Sequence, residues 1–537
     1  MKKDMIINNP IPITDSRLSP SSMGIVIKLT KNTLANYFIW GWSFIVSFIL
    51  FPFIVNHIGI AETGLWVLVS SITGYFALGQ LGLGTSTTKF VAQCQAEKDE
   101  EKTNKFINTT FFILFGIGIV TTVGLVIVGH FFIPLFNIPQ ELIHKAQIAT
   151  YIAAIGMFFS LPMETFRSVI RGFQRYELLA LIAFCISILE ISLTLYFISH
   201  GYGLVTLVLI NCTTGILGGV SGLLCVKKLF SHFHIKFKNL EKTIAKSLFS
   251  LGILTFIIDI STILTYPTVN VMIGTFLTVG ALTYYAACFK LYRLIFKLSS
   301  VFSFATAPLA SEMDAKRAVD SLRNLFIKGT KYLTAFSLSL GVPVIMFSKQ
   351  ILLFWLGEDF ALYYLISIIL LVSSFFSCSH FIALQILRGM NKLKLASSYY
   401  ILVALLTILS GFILIPRIGI LGAALAIALP QSILEPFFLF YTLKVFKLKL
   451  HTYIKEVLLK TYPQAGAIAI GLFILIHNFR LCNLSMVALF LVASLVTYWL
   501  LFYIFGLNKD GKNQQIQVLK YVFLRYFGRR KVGLRIT

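Results

Sequence analysis

Of the 537 residues, 57% are hydrophobic and 12% are charged, too few charges to coat a soluble protein of this length. A formal net charge of +25 would suit nucleic acid, but the basic residues are segregated along the chain rather than gathered into one patch. Seven cysteines show neither disulfide-framework nor metal-ligand spacing, so no metal or other cofactor is expected.

The first 32 residues are polar, rich in Ser, Pro and Asn, and lack the short apolar core and cleavage site of a signal peptide. Apolar runs of about 20 residues, the length that crosses roughly 30 Å of hydrocarbon, then recur near 34–55, 64–91, 106–132, 146–170, 177–199, 202–228, 245–275, 279–308, 325–347, 362–388, 396–416, 419–444, 458–478 and 483–506. They predict fourteen transmembrane helices, because lipid offers no partner to an unpaired backbone group. With these spans, the tails and alternate loops carry 39 of the 46 Lys and Arg residues. The opposite face holds Lys145, Lys349, Arg417 and Arg480. That bias places both termini in the cytoplasm and suits an anionic inner leaflet.

The chain also repeats itself at an offset of 217 residues. Ile170-Arg171-Gly172-Phe173-Gln174-Arg175 returns as Leu387-Arg388-Gly389-Met390-Asn391-Lys392, and Phe158-Phe159-Ser160 returns as Phe375-Phe376-Ser377. Each period holds six spans, an even number, so both copies enter the membrane in the same direction. The expected fold is an all-α polytopic membrane protein: two parallel six-helix repeats around a central cavity, plus two C-terminal helices. Its units are a tail (1–32), a first lobe (33–228), a basic linker (229–244), a second lobe (245–444), two added helices (445–506) and a basic cytoplasmic tail (507–537).

Charges inside the spans are the candidate site. Lys290, Arg293 and Lys297 fall at i, i+3 and i+7, one stripe of a helix. Each would cost about 2.5–3.5 kcal/mol facing lipid at mid-bilayer. A stripe lining water or protein avoids that cost and suits a phosphate or pyrophosphate, with Arg293 supplying a bidentate fork. Snorkelling is an adequate reading for Lys297, nearest the cytoplasmic end. Asp259 lies at the depth of Arg293 and is either a salt-bridge partner of Arg293 or Lys290, or a proton or sodium site. Glu190 is isolated in its span, a candidate for ion coupling or a protonated acid bonded to a neighbouring helix. Glu435, before Pro436, has the same two readings, and Glu164 with Arg167 reads as a mutual pair. Asn36, Tyr37, Trp40 and Gln80 are candidate sugar contacts, though each alone equally suits helix packing. Pro267 is a candidate break in the seventh span.

Every outer loop is short, the longest being 348–361, which leaves no room for the outer catalytic domain of a glycan-processing enzyme. Gly506 to Asn513 has P-loop spacing, but Asn513 replaces the Ser or Thr that holds Mg²⁺ and no strand precedes it. A transporter is expected rather than an enzyme.

The stretch Leu78-Gly79-Gln80-Leu81-Gly82-Leu83-Gly84, followed by Lys89, resembles the Gly-rich signature of the O-antigen and polysaccharide flippases, within the multidrug/oligosaccharidyl-lipid/polysaccharide superfamily. Tyr284-Tyr285-Ala286-Ala287 through Pro308 resembles the matching element of the second lobe, and Arg171-Gly172 and Arg388-Gly389 fit the family's inner loops. The chain departs from the family where Gln80 replaces a frequent acidic residue, so no ionic role carries over to it. The resemblance implies alternating access in a bacterial cytoplasmic membrane. It implies an undecaprenyl-pyrophosphate-like lipid-linked oligosaccharide as substrate, H⁺ or Na⁺ as coupling ion, and a polysaccharide polymerase as a candidate partner. It implies no nucleic acid. A cation-coupled drug exporter of the same fold is the alternative.

Overall fold

The computed structural model describes residues 20–80, 82–303, 306–479, 483–508 and 512–513, without the side chains of 20–38, 40, 250–255, 259 and 308. Every regular element among them is helical. The first half comprises α1 (Pro20–Phe76), α2 (Leu83–Glu97), α3 (Glu100–Ile127), α4 (Gln140–Gly172), α5 (Tyr176–Ser199) and α6 (Leu204–Leu229). The second comprises α7 (Lys242–Phe276), α8 (Val279–Ser303), α9 (Thr306–Ala315), α10 (Val319–Met346), α11 (Ser348–Leu356), α12 (Glu358–Ala361), α13 (Tyr364–Phe376), α14 (Cys378–Gly389), α15 (Lys394–Ile418) and α16 (Ile420–Val445). After these come α17 (Leu450–Tyr453), α18 (Tyr462–Asn478) and α19 (Leu484–Leu501).

Most apolar runs of the sequence fall on one helix or a bent helix pair, while 64–91 spans the second part of α1 and α2, and 279–308 spans α8 and the start of α9. Nine segments among the described residues are long and apolar enough to cross a membrane, or twelve if each of three bent pairs is one span. Two features of the helices bear on that tally. Helix α1 breaks at Gly59, whose φ of 82° and ψ of 170° suit a residue without Cβ, so it runs in two parts although it is counted once. Helix α8 carries three cations, which lower its apolarity.

Two expectations change. The 348–361 segment is not an open loop: it forms α11, which leaves α10 at 66°, followed by the short α12. Its apolar face drives this, burying Ile351, Leu352 and Trp355. Pro267 does not break the seventh span, which runs through it as the single helix α7.

The repeat is structural as well as textual. Gln174 and Asn391 both take the left-handed conformation, at φ 57° and 55°. Around them three hydrogen bonds recur in register: Phe173 N to Val169 O (2.9 Å), Gln174 N to Arg171 O (2.8 Å) and Arg175 N to Ile170 O (3.1 Å). Their counterparts are Met390 N to Ile386 O (2.9 Å), Asn391 N to Arg388 O (3.1 Å) and Lys392 N to Leu387 O (2.8 Å). Each turn follows a glycine pressed against the short helix of its own half. A Cβ on Gly172 would meet Val91 at 2.7 Å, and one on Gly389 would meet the Ala307 carbonyl at 2.5 Å.

The two halves are joined along the second part of α1. Gly64 sits so close to Val279 of α8 that any Cβ would overlap its carbonyl. Thr283 Oγ1 donates to Ile60 O (2.7 Å), Asn270 Nδ2 to Ser71 Oγ (2.9 Å) and Tyr75 OH to Thr268 Oγ1 (2.6 Å). The largest core cluster crosses this seam, gathering Phe51, Leu65 and Leu68 of α1 with Val269 and Ile273 of α7 and Leu282 of α8. At one end of the seam, Trp355 of α11 stacks on Phe48 with ring centroids 4.2 Å apart and donates from Nε1 to the Phe48 carbonyl (3.0 Å).

Candidate functional site: a membrane-depth cavity at the seam

Helix α1 lines a cavity of about 310 Å³ with Ser43, Val46, Ser47, Leu50, Phe51 and Ile54. Their spacing of three and four residues makes them one helical face. The opposite wall comes from α5, where Ser187, Glu190 and Thr194 recur at the same spacing, and from Leu207 and Asn211 of α6. One residue of the second half completes the lining, and it is Lys290 of α8.

The cavity therefore holds two of the charges singled out from the sequence, on different walls. Lys290 Nζ donates to Ser47 Oγ at 2.6 Å and stands 4.7 Å from the centroid of the Phe51 ring. Both contacts suit an ammonium held away from bulk water. Neither Lys290 nor Glu190 forms an ion pair with a described residue. A lysine and a carboxyl side chain on different walls of one small cavity suit a polar guest between them.

The other candidates divide. Arg293 is exposed and Lys297 half-buried, one and two turns along the α8 stripe, and neither lines this cavity. Gln80 is half-buried in a tight turn between α1 and α2, also away from the cavity. The side chains of Asn36, Tyr37, Trp40 and Asp259 lie outside the described residues. Glu164 accepts from Arg171 at 2.5 Å and more loosely from Arg167 at 3.5 Å, so the pair expected from spacing has a second, closer member.

Sequence reasoning passed over most of the lining. Ser43, Ser47, Thr194 and Asn211 carry no charge, and such residues in apolar helices commonly serve packing. Trp42, two residues beyond the expected Trp40, ties α1 to α5 through Nε1 donating to Ser187 Oγ (3.0 Å).

A second polar cluster lies wholly inside the second half. Tyr399 OH donates to Glu435 Oε2 at 2.7 Å, and His380 Nδ1 is 3.7 Å from that same oxygen. His380 Nε2 lies 3.0 Å from Tyr400 OH. Glu435 is 2% exposed and His380 4%, so this cluster is sealed. For Glu435 the structure supplies the neighbouring-helix hydrogen bond that its sequence position left open.

Residues 34–196 match the family described as MatE. An uncharacterized membrane protein named EpsK, from Bacillus subtilis (strain 168), is 23% identical over 343 residues, 62% of this chain and 66% of that protein. The match thus spans just under two thirds of the curated relative. Among solved structures, lipid II flippase MurJ in an inward closed conformation aligns with a TM-score of 0.67 at 16% identity, over 92% of this chain and 99% of that one. The inward-facing conformation of a multidrug resistance MATE family transporter gives 0.62 at 15% identity, over 75% and 98%. A transporter of the MOP superfamily from Pyrococcus furiosus, described as having reversed polarity in its binding pocket, gives 0.57 at 16% identity, over 77% and 95%. The fold is the one these transporters share.

Proposed function

We propose that this membrane protein is a flippase. Its cargo is an oligosaccharide linked to a polyprenyl pyrophosphate, an O-antigen unit or another surface-polysaccharide unit. The cargo moves from the cytoplasmic to the outer leaflet by alternating access, driven by a proton or sodium gradient. The bacterial cytoplasmic membrane, with both termini inside, is its place, and a polysaccharide polymerase would take up the product. The observation that carries the reading is Lys290, a cation within an apolar run, on the seam between the halves and facing a cavity.

An anionic headgroup entering from the cytoplasmic end would meet Lys297 and Arg293 before Lys290. Those three positions climb α8 over roughly 10 Å, at 1.5 Å per residue. The cavity is too small for a whole lipid-linked glycan, so it would receive the pyrophosphate while sugar and tail lie outside it. Glu190, on the facing wall, is placed to take up a proton or sodium ion as the anion arrives or leaves. Asp259 remains a second candidate for that role. Helices α18 and α19, which have no counterpart in the repeat, would border the lipid tail.

A cation-coupled exporter of the same fold is the second reading, favoured by one feature. Glu190, Phe51 and Trp66 line the same cavity and would suit an organic cation. Export of the glycan and of cationic dyes, measured for Lys290→Ala and Glu190→Gln, separates the two. A flippase loses glycan export in Lys290→Ala; an exporter keeps or gains dye efflux in that variant and loses it in Glu190→Gln.

A further inference from the structure

We propose that the second half carries a separate phosphate-binding pocket at the start of α10, shaped for the headgroup phosphate of an anionic membrane lipid. A cavity of about 310 Å³ lies where α10 meets the Leu450–Leu458 segment. From α10, Arg323, Ile327 and Lys331 face it at intervals of four residues, with Lys328 beside them. Glu456 lines the other side, and Asn508 closes it.

The charges in this pocket do not balance. Arg323 is held by Asp320 (2.7 Å) and by the Phe446 carbonyl (2.7 Å). Lys460 is held by Glu456 (2.6 Å) and Asn508 (3.0 Å). Lys328 and Lys331 pair with no carboxylate among the described residues. Lys331 is only 8% exposed, and its Nζ lies 5.7 Å from the centroid of the adjacent Tyr332 ring. Glu456 across the pocket attracts Lys331 but is itself held by Lys460, and an ammonium withdrawn this far from water without a direct ion-pair partner is costly. A bound anion removes that cost, and the cluster of Arg323, Lys328 and Lys331 matches the several oxygens of a phosphate.

The surroundings point to a lipid as the carrier. Leu459, Ile504 and Phe505, on the segments that flank the pocket, are 63%, 53% and 70% exposed. Apolar side chains bared beside a cationic pocket offer a path for acyl chains under a bound headgroup. Basic residues here also lie on the face that the charge bias assigns to the anionic leaflet.

The test titrates the purified full-length protein with phosphatidylglycerol or phosphatidylcholine and counts retained lipids by native mass spectrometry. A parallel arm adds inorganic phosphate or glycerol 3-phosphate and follows thermal unfolding. The expected result is retention of phosphatidylglycerol over phosphatidylcholine, weakened roughly tenfold in Lys331→Gln and several-fold in Lys328→Gln. Lys349→Gln, on the opposite membrane face, should match the wild type. Lys328 is exposed at the rim, so its variant carries the test should Lys331→Gln fail to fold. Stabilisation by soluble phosphate that depends on Lys331, without selective lipid retention, would keep the pocket and assign it a soluble ligand. Retention and stabilisation alike in wild type, Lys331→Gln and Lys328→Gln would overturn the proposal.

Discussion

Lys290 and Ser47 belong to opposite halves of the molecule, yet the ammonium of one donates to the hydroxyl of the other across 2.6 Å. Under the proposed reading, a rocking of the halves that widens the cavity lengthens this contact, which would make it a latch as well as part of the binding site. Lys290→Ala is expected to lower glycan export roughly ten- to hundredfold, the effect of losing one charge-assisted contact of about 1.5–3 kcal/mol. Lys290→Arg should retain most activity. Ser47→Ala, which keeps the charge and removes only its latch, should change export by less than tenfold. Complementation of an export-deficient strain, with surface glycan quantified, checks all three.

Glu190 faces the same cavity with no ion-pair partner among the described residues. Under the ion-coupled reading, Glu190→Gln removes the titrating group and leaves the shape. Reconstituted vesicles should then show transport that no longer responds to an imposed gradient, while exchange without a gradient persists. Transport by Glu190→Gln that follows the gradient as the wild type does would move the coupling role to another group, with Asp259 next in line.

Close packing at the repeated turns makes a prediction about stability alone. A Cβ on Gly389 would meet backbone atoms at 2.5 Å (Ala307 O) and 2.9 Å (Ser311 N), and backbone cannot move aside as a flexible side chain can. Gly389→Ala should cost about 1–3 kcal/mol by overpacking, read as a lower thermal midpoint of the detergent-purified protein. Gly116→Ala, with nothing within 4 Å of the added carbon, should leave that midpoint in place.

The sealed acid predicts a contrast between two substitutions. Glu435→Gln keeps an oxygen to accept from Tyr399, whose hydroxyl lies 2.7 Å away, and should fold normally. Glu435→Ala strands the Tyr399 hydroxyl in the core and should cost about 1–3 kcal/mol more. Unfolding midpoints of the two variants, measured side by side, decide it.

Much of this architecture was legible in the sequence because membranes simplify the code. The turns at Gly172 and Gly389 showed as a repeated string, since each copy must seat a glycine against the short helix of its own half. Lys290 and Glu190 stood out singly because a charge in an apolar run is conspicuous. Their meeting at one cavity was not legible: it depends on α1 packing between α5 and α8, a long-range arrangement with no local signature. The uncharged lining, Ser47 and Asn211, was invisible for the reason that small polar side chains also serve helix contacts. The 348–361 segment, interrupted by Lys349, Glu358 and Asp359, read as a loop, although the face carrying Ile351, Leu352 and Trp355 was enough to fold it as a helix.

The most direct measurement is the aqueous reactivity of position 290. Lys290→Cys, placed in a chain with its native cysteines replaced, is treated in inverted vesicles with an anionic, membrane-impermeant thiosulfonate. The account predicts modification within minutes, slowed by added lipid-linked glycan. A thiol reached only by a lipid-soluble maleimide, or by neither reagent, would contradict it.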